Sequence, residues 1–154
     1  MLQVSRLLVP IDFSEFSNQA LRYGIELTQR FNAELHLLHV LEVHSSGAPV
    51  FTMGLALPER QEESNEVALK RLEALPGSDI PESSRVVRAT AHGSPLVQII
   101  RYASDQEIDM IIMGTHGRTG LTHVLLGSVA ENVVRQAPCP VLIVRNEGHQ
   151  FVAF

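Results

Sequence analysis

The sequence predicts an α/β fold, a single domain in which one open, five-stranded parallel sheet is covered by helices on both faces. Five short apolar runs recur along the chain without the polar alternation of a half-exposed strand, so both faces of most should be buried. Four stretches lying among them repeat apolar residues at helical spacing, and strands that alternate with helices join as right-handed crossovers in a parallel sheet. A length of 154 residues suits one domain spanning 1–154, and 45% hydrophobic residues supply apolar surface for its core.

Leu7 to Ile11 is the first strand, ending at Asp12. From Ser14 to Phe31 the residues Phe16, Ala20, Gly24, Leu27 and Phe31 fall on one helical face, with Arg22, Glu26 and Arg30 away from it. Leu35 to Leu41 is the second strand, and Glu42 to Leu57, carrying Ser, Gly and Pro without a period, is a loop. Glu59 to Leu75 begins acidic, keeps Ala68, Leu72 and Leu75 on one side, and ends at Pro76-Gly77, as a surface helix does. Arg85 to Thr90 mixes polar and apolar residues in the manner of an edge strand. Ser94-Pro95 is an N-cap and first-turn pair for a helix bearing Leu96, Ile99, Ile100 and Ala103. Ile108 to Met113 is the fourth strand, a helix from Ser128 to Gln136 is closed by Pro138, and Pro140 to Val144 is the fifth strand.

A net charge of −5 argues against nucleic acid or an anionic membrane as the main partner, since both want clustered Lys and Arg. An anionic ligand must then be held by local dipoles, a few arginines or a metal ion. One cysteine, Cys139, rules out an internal disulfide and fits a reducing compartment; between Pro138 and Pro140 it reads as a small buried filler. The first apolar run is too short for a signal segment and no later one has the length of a span, so the expected location is the cytoplasm. His36 and His39 are three apart in a strand, point to opposite faces and cannot share a metal.

The stretch Gly114 to Ser128 joins the fourth strand to a helix that Ser128 could cap. Backbone N–H groups at a helix N-terminus lack intrahelical partners and carry partial positive charge, and glycine lets an anion come close to them. A Walker A loop is excluded because the only lysine is Lys70, and a Rossmann fingerprint would follow the first strand rather than the fourth. The plain alternative is that the glycines merely end a strand and start a helix, for which one would suffice. Arg118 is the loop's only formal positive charge, either a phosphate clamp or a solvated side chain, and His116 and His123 are loop polar residues before they are ligands.

Gly114, Gly117, Gly127 and Ser128 stand in the pattern Gly-x2-Gly-x9-Gly-Ser, preceded by Asp-x-Ile-x-Met-Gly and followed by Ala-Pro-Cys-Pro-Val-Leu-Ile-Val. This combination resembles the ATP-binding branch of the universal stress protein family, over nearly the whole chain from Leu7-Leu8-Val9-Pro10-Ile11-Asp12 to Arg145. The resemblance implies the strand order 3-2-1-4-5, which sets Asp12 beside Gly114. It implies ATP with Mg²⁺, the adenosine near Asp12 and Val40 and the phosphates on Gly114, Gly117, Gly127 and Ser128. Pro10, Ile11, Met113, His116, Arg118 and Val129 complete the implied site. For Asp12 a second reading stays open, because Asp12-Phe13-Ser14-Glu15 is also a capping arrangement for the first helix.

The fifth strand would be a bare apolar edge, which the family pairs with its symmetry mate, implying a homodimer through 141–144. Three functions are then expected in order: a nucleotide-responsive regulatory module with an unidentified protein partner; a slow ATP hydrolase or phosphoryl-transfer enzyme, for which no base motif is present; and a nucleotide-independent interaction protein. The loop before the second helix and the tail 146–154 fall outside the resemblance.

Overall fold

The computed structural model describes residues 3–42, 58–116 and 126–145, the helical stretch 58–64 by its backbone alone. The loop expected over 43–57 and the tail 146–154 lie outside these residues. The elements are β1 (Arg6–Pro10), α1 (Glu15–Phe31), β2 (Glu34–Leu41), α2 (Pro58–Glu73), a 3₁₀ turn (Gly77–Asp79), β3 (Val86–His92), α3 (Pro95–Asp105), β4 (Met110–Gly114), α4 (Ser128–Gln136) and β5 (Val141–Val144). All strands run parallel in the order β3-β2-β1-β4-β5, so the expected α/β architecture is the one observed. No described helix is long and apolar enough to cross a membrane.

The continuous apolar runs are buried on both faces. Leu7, Val9, Ile11, Leu35, Leu37 and Ile112 pack with Ala20, Leu21 and Ile25 of α1 and Leu72 of α2. Leu8, Leu38, Ile111 and Met113 pack on the other face with Ile99 and Ala103 of α3 and Ala130 and Val133 of α4.

Helix α1 starts where Ser14 accepts a hydrogen bond from Ser17 N–H at 3.2 Å, and it ends at Asn32 in the left-handed conformation. Its buried residues are Ser17, Gln19, Ala20, Leu21, Gly24, Ile25 and Thr28, a stripe rotated from the expected one, and Phe31 is 43% exposed at the helix end. The stripe is small because the helix lies close to the sheet. A Cβ on Gly24 would stand 2.7 Å from Val9 Cγ2, and a Cβ on Gly114 would stand 2.8 Å from both Cβ and the carbonyl oxygen of Phe16.

Several expected boundaries shift for local reasons. Ile108 belongs to the turn after α3, since its N–H donates to Ala103 O and Glu107 is left-handed (φ 48°), and β4 therefore starts at Met110. Asp109 Oδ2 accepts from Ser5 and Arg6 N–H (2.7 and 2.9 Å), tying the start of β4 to β1. Helix α2 stops at Glu73, and Arg88 of β3 closes its end by donating from Nε to Leu72 O and Leu75 O (3.0 Å each) and from Nη2 to Leu75 O (2.6 Å). Ser128 is the first residue of α4 rather than its cap; the N-cap is Gly127, with no side-chain hydrogen bond.

The two β2 histidines do point to opposite faces. His36 lies toward α3, where its Nε2–H donates to Glu34 (3.0 Å) and its Nδ1 accepts from Tyr102 O–H (3.0 Å), the pairing a neutral ring requires beside a carboxylate. Burial lowers the His36 pKa and Arg6 adds to the lowering, outweighing the hydrogen bond and charge of Glu34, which raise it. The unfolded chain then takes up the proton first as the pH falls. Stability from this group is complete above about pH 6.5 and declines as pH drops from there through the lowered folded value. Thermal melts across pH 5–8 should fall on the acid side, and the same series for His36→Gln should be flatter there.

Candidate functional site

The winding reverses between β1 and β4, and the carboxyl ends of these strands open into a pocket of about 310 Å³, at the small end of the ligand-site range. Every expected site residue among the described residues lines it: Pro10, Ile11 and Asp12 from β1 and its following turn, Val40 from β2, Met113 and Gly114 from β4, His116, and Gly127, Ser128 and Val129 at the start of α4. Gly117, Arg118 and His123 lie outside the described residues.

Sequence reasoning missed Ser17, Leu38, Glu42, Pro95, Ile99 and Ala130, which line the same pocket. Leu38 and Glu42 were legible, because side chains two apart along a strand share a face and Val40 was already expected there. Pro95 and Ile99 give no such signal. They arrive because strand order brings the N-terminus of α3 to the same edge as that of α4.

The pocket has two ends of different chemistry. Strand order separates the end of β2 from the end of β4 by the whole of β1. Toward β2 the lining is apolar, with Pro10, Leu38, Val40 and Ile99, and Glu42 follows the strand. Toward β4 it is the first turn of α4. Gly127 N–H donates to Thr115 O at 2.7 Å, while Gly127 O accepts from Glu131 N–H at 2.9 Å and starts the helix. A Cβ on Gly127 would meet Thr115 O at 3.2 Å and His116 Cα at 3.4 Å, so its bare α-carbon lets α4 begin directly beside the end of β4. Among the described residues no side chain caps the helix, and the backbone N–H groups of Ser128, Val129 and Ala130, residues that line the pocket, carry the partial positive charge of a helix N-terminus.

Asp12 sits where β1 gives way to α1, and its Oδ1 accepts from Ser14 N–H at 2.9 Å. Of the two capping candidates the N-cap is Ser14; Asp12 instead accepts from the N–H of that cap residue, and it also lines the pocket. The His116 ring rests against Phe16 with centroids 5.4 Å apart and shares a hydrogen bond with Thr115 Oγ1 at 3.0 Å. Among the described lining residues the formal charges, Asp12 and Glu42, are both acidic, leaving backbone dipoles to attract an anion. Among the described residues no group of three or more His, Cys, Asp or Glu is placed to hold a metal ion. Cys139 is packed beneath β4, where burial pushes its thiol pKa up and keeps it protonated.

A sequence profile of the universal stress protein family matches residues 3–145. The chain is 32% identical over 141 residues to universal stress protein MJ0531 of Methanocaldococcus jannaschii, an alignment covering 91% of this chain and 81% of that one. The solved structure of MJ0577, from the same organism, superposes with a TM-score of 0.78 at 29% identity, covering 96% of this chain and 99% of that one. The universal stress protein UspA from Lactobacillus plantarum superposes at 0.74 with 26% identity, covering 94% and 100%. A universal stress protein in complex with cAMP (21% identical, TM-score 0.59) and one from Archaeoglobus fulgidus in complex with dAMP (18%, 0.61) share the fold.

Proposed function

The chain belongs to the universal stress protein family, and from that premise we propose that it is an adenine-nucleotide-binding regulatory module whose ligand is ATP. The observation that carries this is the N-terminus of α4, which has no side-chain cap among the described residues, lying at one end of a pocket whose other end is apolar. A triphosphate suits the first and a planar base the second. Pro10, Leu38, Val40 and Ile99 would enclose the base, Asp12 would accept from ribose hydroxyls, and Gly127, Ser128 and Val129 would hold phosphate through backbone N–H groups. Met113 and Gly114, at the end of β4, line the phosphate end with them, and Gly117 and Arg118 follow in sequence. Because Asp12 and Glu42 are the formal charges among the described lining residues, Mg²⁺ on the phosphate oxygens would offset the ligand's own charge. Its setting would be the cytoplasm, and the signal would pass to a protein partner.

Calorimetric titration with ATP and AMP, with and without Mg²⁺, tests this, after a denatured sample has been checked for copurified nucleotide. ATP should bind with a Kd of about 1 μM, near −8 kcal/mol, and AMP at least about tenfold more weakly, because α4 acts on the phosphates. An empty, folded protein that binds neither nucleotide would overturn the proposal.

The outer edge of β5 supports a second part of the reading. Val141, Leu142 and Ile143 are apolar and only partly covered, Leu142 being 37% exposed, on a parallel sheet's last strand. We expect a homodimer joined along this edge. Light scattering at micromolar concentration should give twice the 17.0 kDa chain mass, and Leu142→Lys should return it to the monomer value. A wild-type monomer would count against the dimer.

A further inference from the structure

Between β1 and α1 the backbone turns at Phe13, whose φ of 62° is a left-handed value that a bulky side chain adopts only when its surroundings hold it there. Those surroundings are specific. The Arg71 guanidinium, in the last turn of α2, lies over the Phe13 ring with Cζ 3.7 Å from the centroid. The His39 ring packs beside it at 4.7 Å, and His39 Nδ1–H donates to Ile11 O at 2.6 Å. Ile11 N–H is held in turn by Leu38 O at 2.8 Å. The backbone from Ile11 to Ser14 is therefore gripped on both sides of Asp12. The left-handed residue also brings Ser14 N–H onto Asp12 Oδ1, which orients the carboxylate that lines the pocket.

We propose that Arg71, acting through the Phe13 ring, is a positioning residue for Asp12, and that it links α2 energetically to ligand in the pocket. This rests on the nucleotide reading above. Without the cation over its face, Phe13 has less reason to stay left-handed, and the Asp12 carboxylate loses its fixed direction. Linkage is reciprocal, so a nucleotide that engages Asp12 must steady the Arg71 contact and with it the end of α2.

The test uses the full chain, ATP titrations, and amide hydrogen exchange over residues 66–73 with and without ATP. ATP should slow exchange there in the wild type. Arg71→Met should weaken ATP binding by about fivefold or more and abolish the slowing. In a Phe13→Gly background, which keeps the turn but removes the ring, Arg71→Met should have no further effect on affinity. Should Phe13→Gly not fold, Phe13→Asn also tolerates the left-handed backbone and lacks the ring. Bound ATP that leaves α2 exchange unchanged in the wild type overturns the linkage alone. An equal loss from Arg71→Met with and without the ring overturns the route through Phe13. No ATP binding to the wild type overturns the nucleotide reading and this proposal with it.

Discussion

A single methyl group at position 114 should remove a large part of this protein's stability. The added carbon of Gly114→Ala would stand 2.8 Å from the Phe16 carbonyl oxygen and 3.0 Å from its carbonyl carbon, and a helix backbone cannot rotate away as a side chain can. Either α1 lifts from the sheet or β4 is pushed toward Ala130 and Val133 of α4 on the sheet's other face. Overpacking of this kind costs about 1–3 kcal/mol, and contact with backbone places this case at the upper end, out of a total of about 5–15 kcal/mol. Urea unfolding followed by circular dichroism should show the midpoint fall in proportion. An unchanged midpoint would mean that α1 has slack the packing does not suggest. Gly114→Val should be worse still, and soluble protein should be scarce.

Gly127→Val separates binding from stability. Its φ of −66° suits any residue, so backbone strain is not at issue. The first carbon alone would sit 3.2 Å from Thr115 O, and the branched side chain would wedge the start of α4 away from the end of β4. Stability should drop by about 1 kcal/mol, at the low end of overpacking. ATP affinity should fall by at least about tenfold, or 1.4 kcal/mol, because the N–H groups of α4 move off the anion position. Adenosine, which carries no phosphate, should bind the variant and the wild type alike. Equal loss for both ligands would place the damage in the apolar end; no loss for ATP would dissociate the α4 terminus from binding altogether.

These two glycines also mark where sequence reasoning stopped. Both stood in the motif as residues that admit phosphate, yet Gly114 is needed because Phe16 of α1 crosses above it, a contact between elements almost a hundred residues apart. A glycine's reason lies in its neighbours, and a linear pattern does not name them. The strands were legible because burial on both faces writes an unbroken apolar run, as in Leu7 to Val9 and Ile111 to Met113. Helix α4 was legible in its extent, Ser128 to Gln136, but not in its cap, which is Gly127 rather than Ser128. The rotated stripe of α1 was not, since Phe16 and Phe31 look like core until Gly24 is seen to bring the helix too close for large side chains there. Strand order came from the family pattern alone. Pro95 and Ile99 could not be expected in the pocket before that order was turned into a shape.

The order places the first strand at the centre of the sheet. β1 pairs with β2 soon after both exist, but its other edge waits for β4, and the bonds from Ser5 and Arg6 to Asp109 span 104 and 103 residues. On a ribosome that adds about 5–20 residues per second, this interval lasts roughly 5–20 s. Throughout it, the nascent chain carries Leu7, Leu8 and Val9 beside an open row of backbone donors and acceptors, a template any other extended segment could join. The half-made protein is therefore most exposed to mispairing at the position that, once finished, is buried deepest.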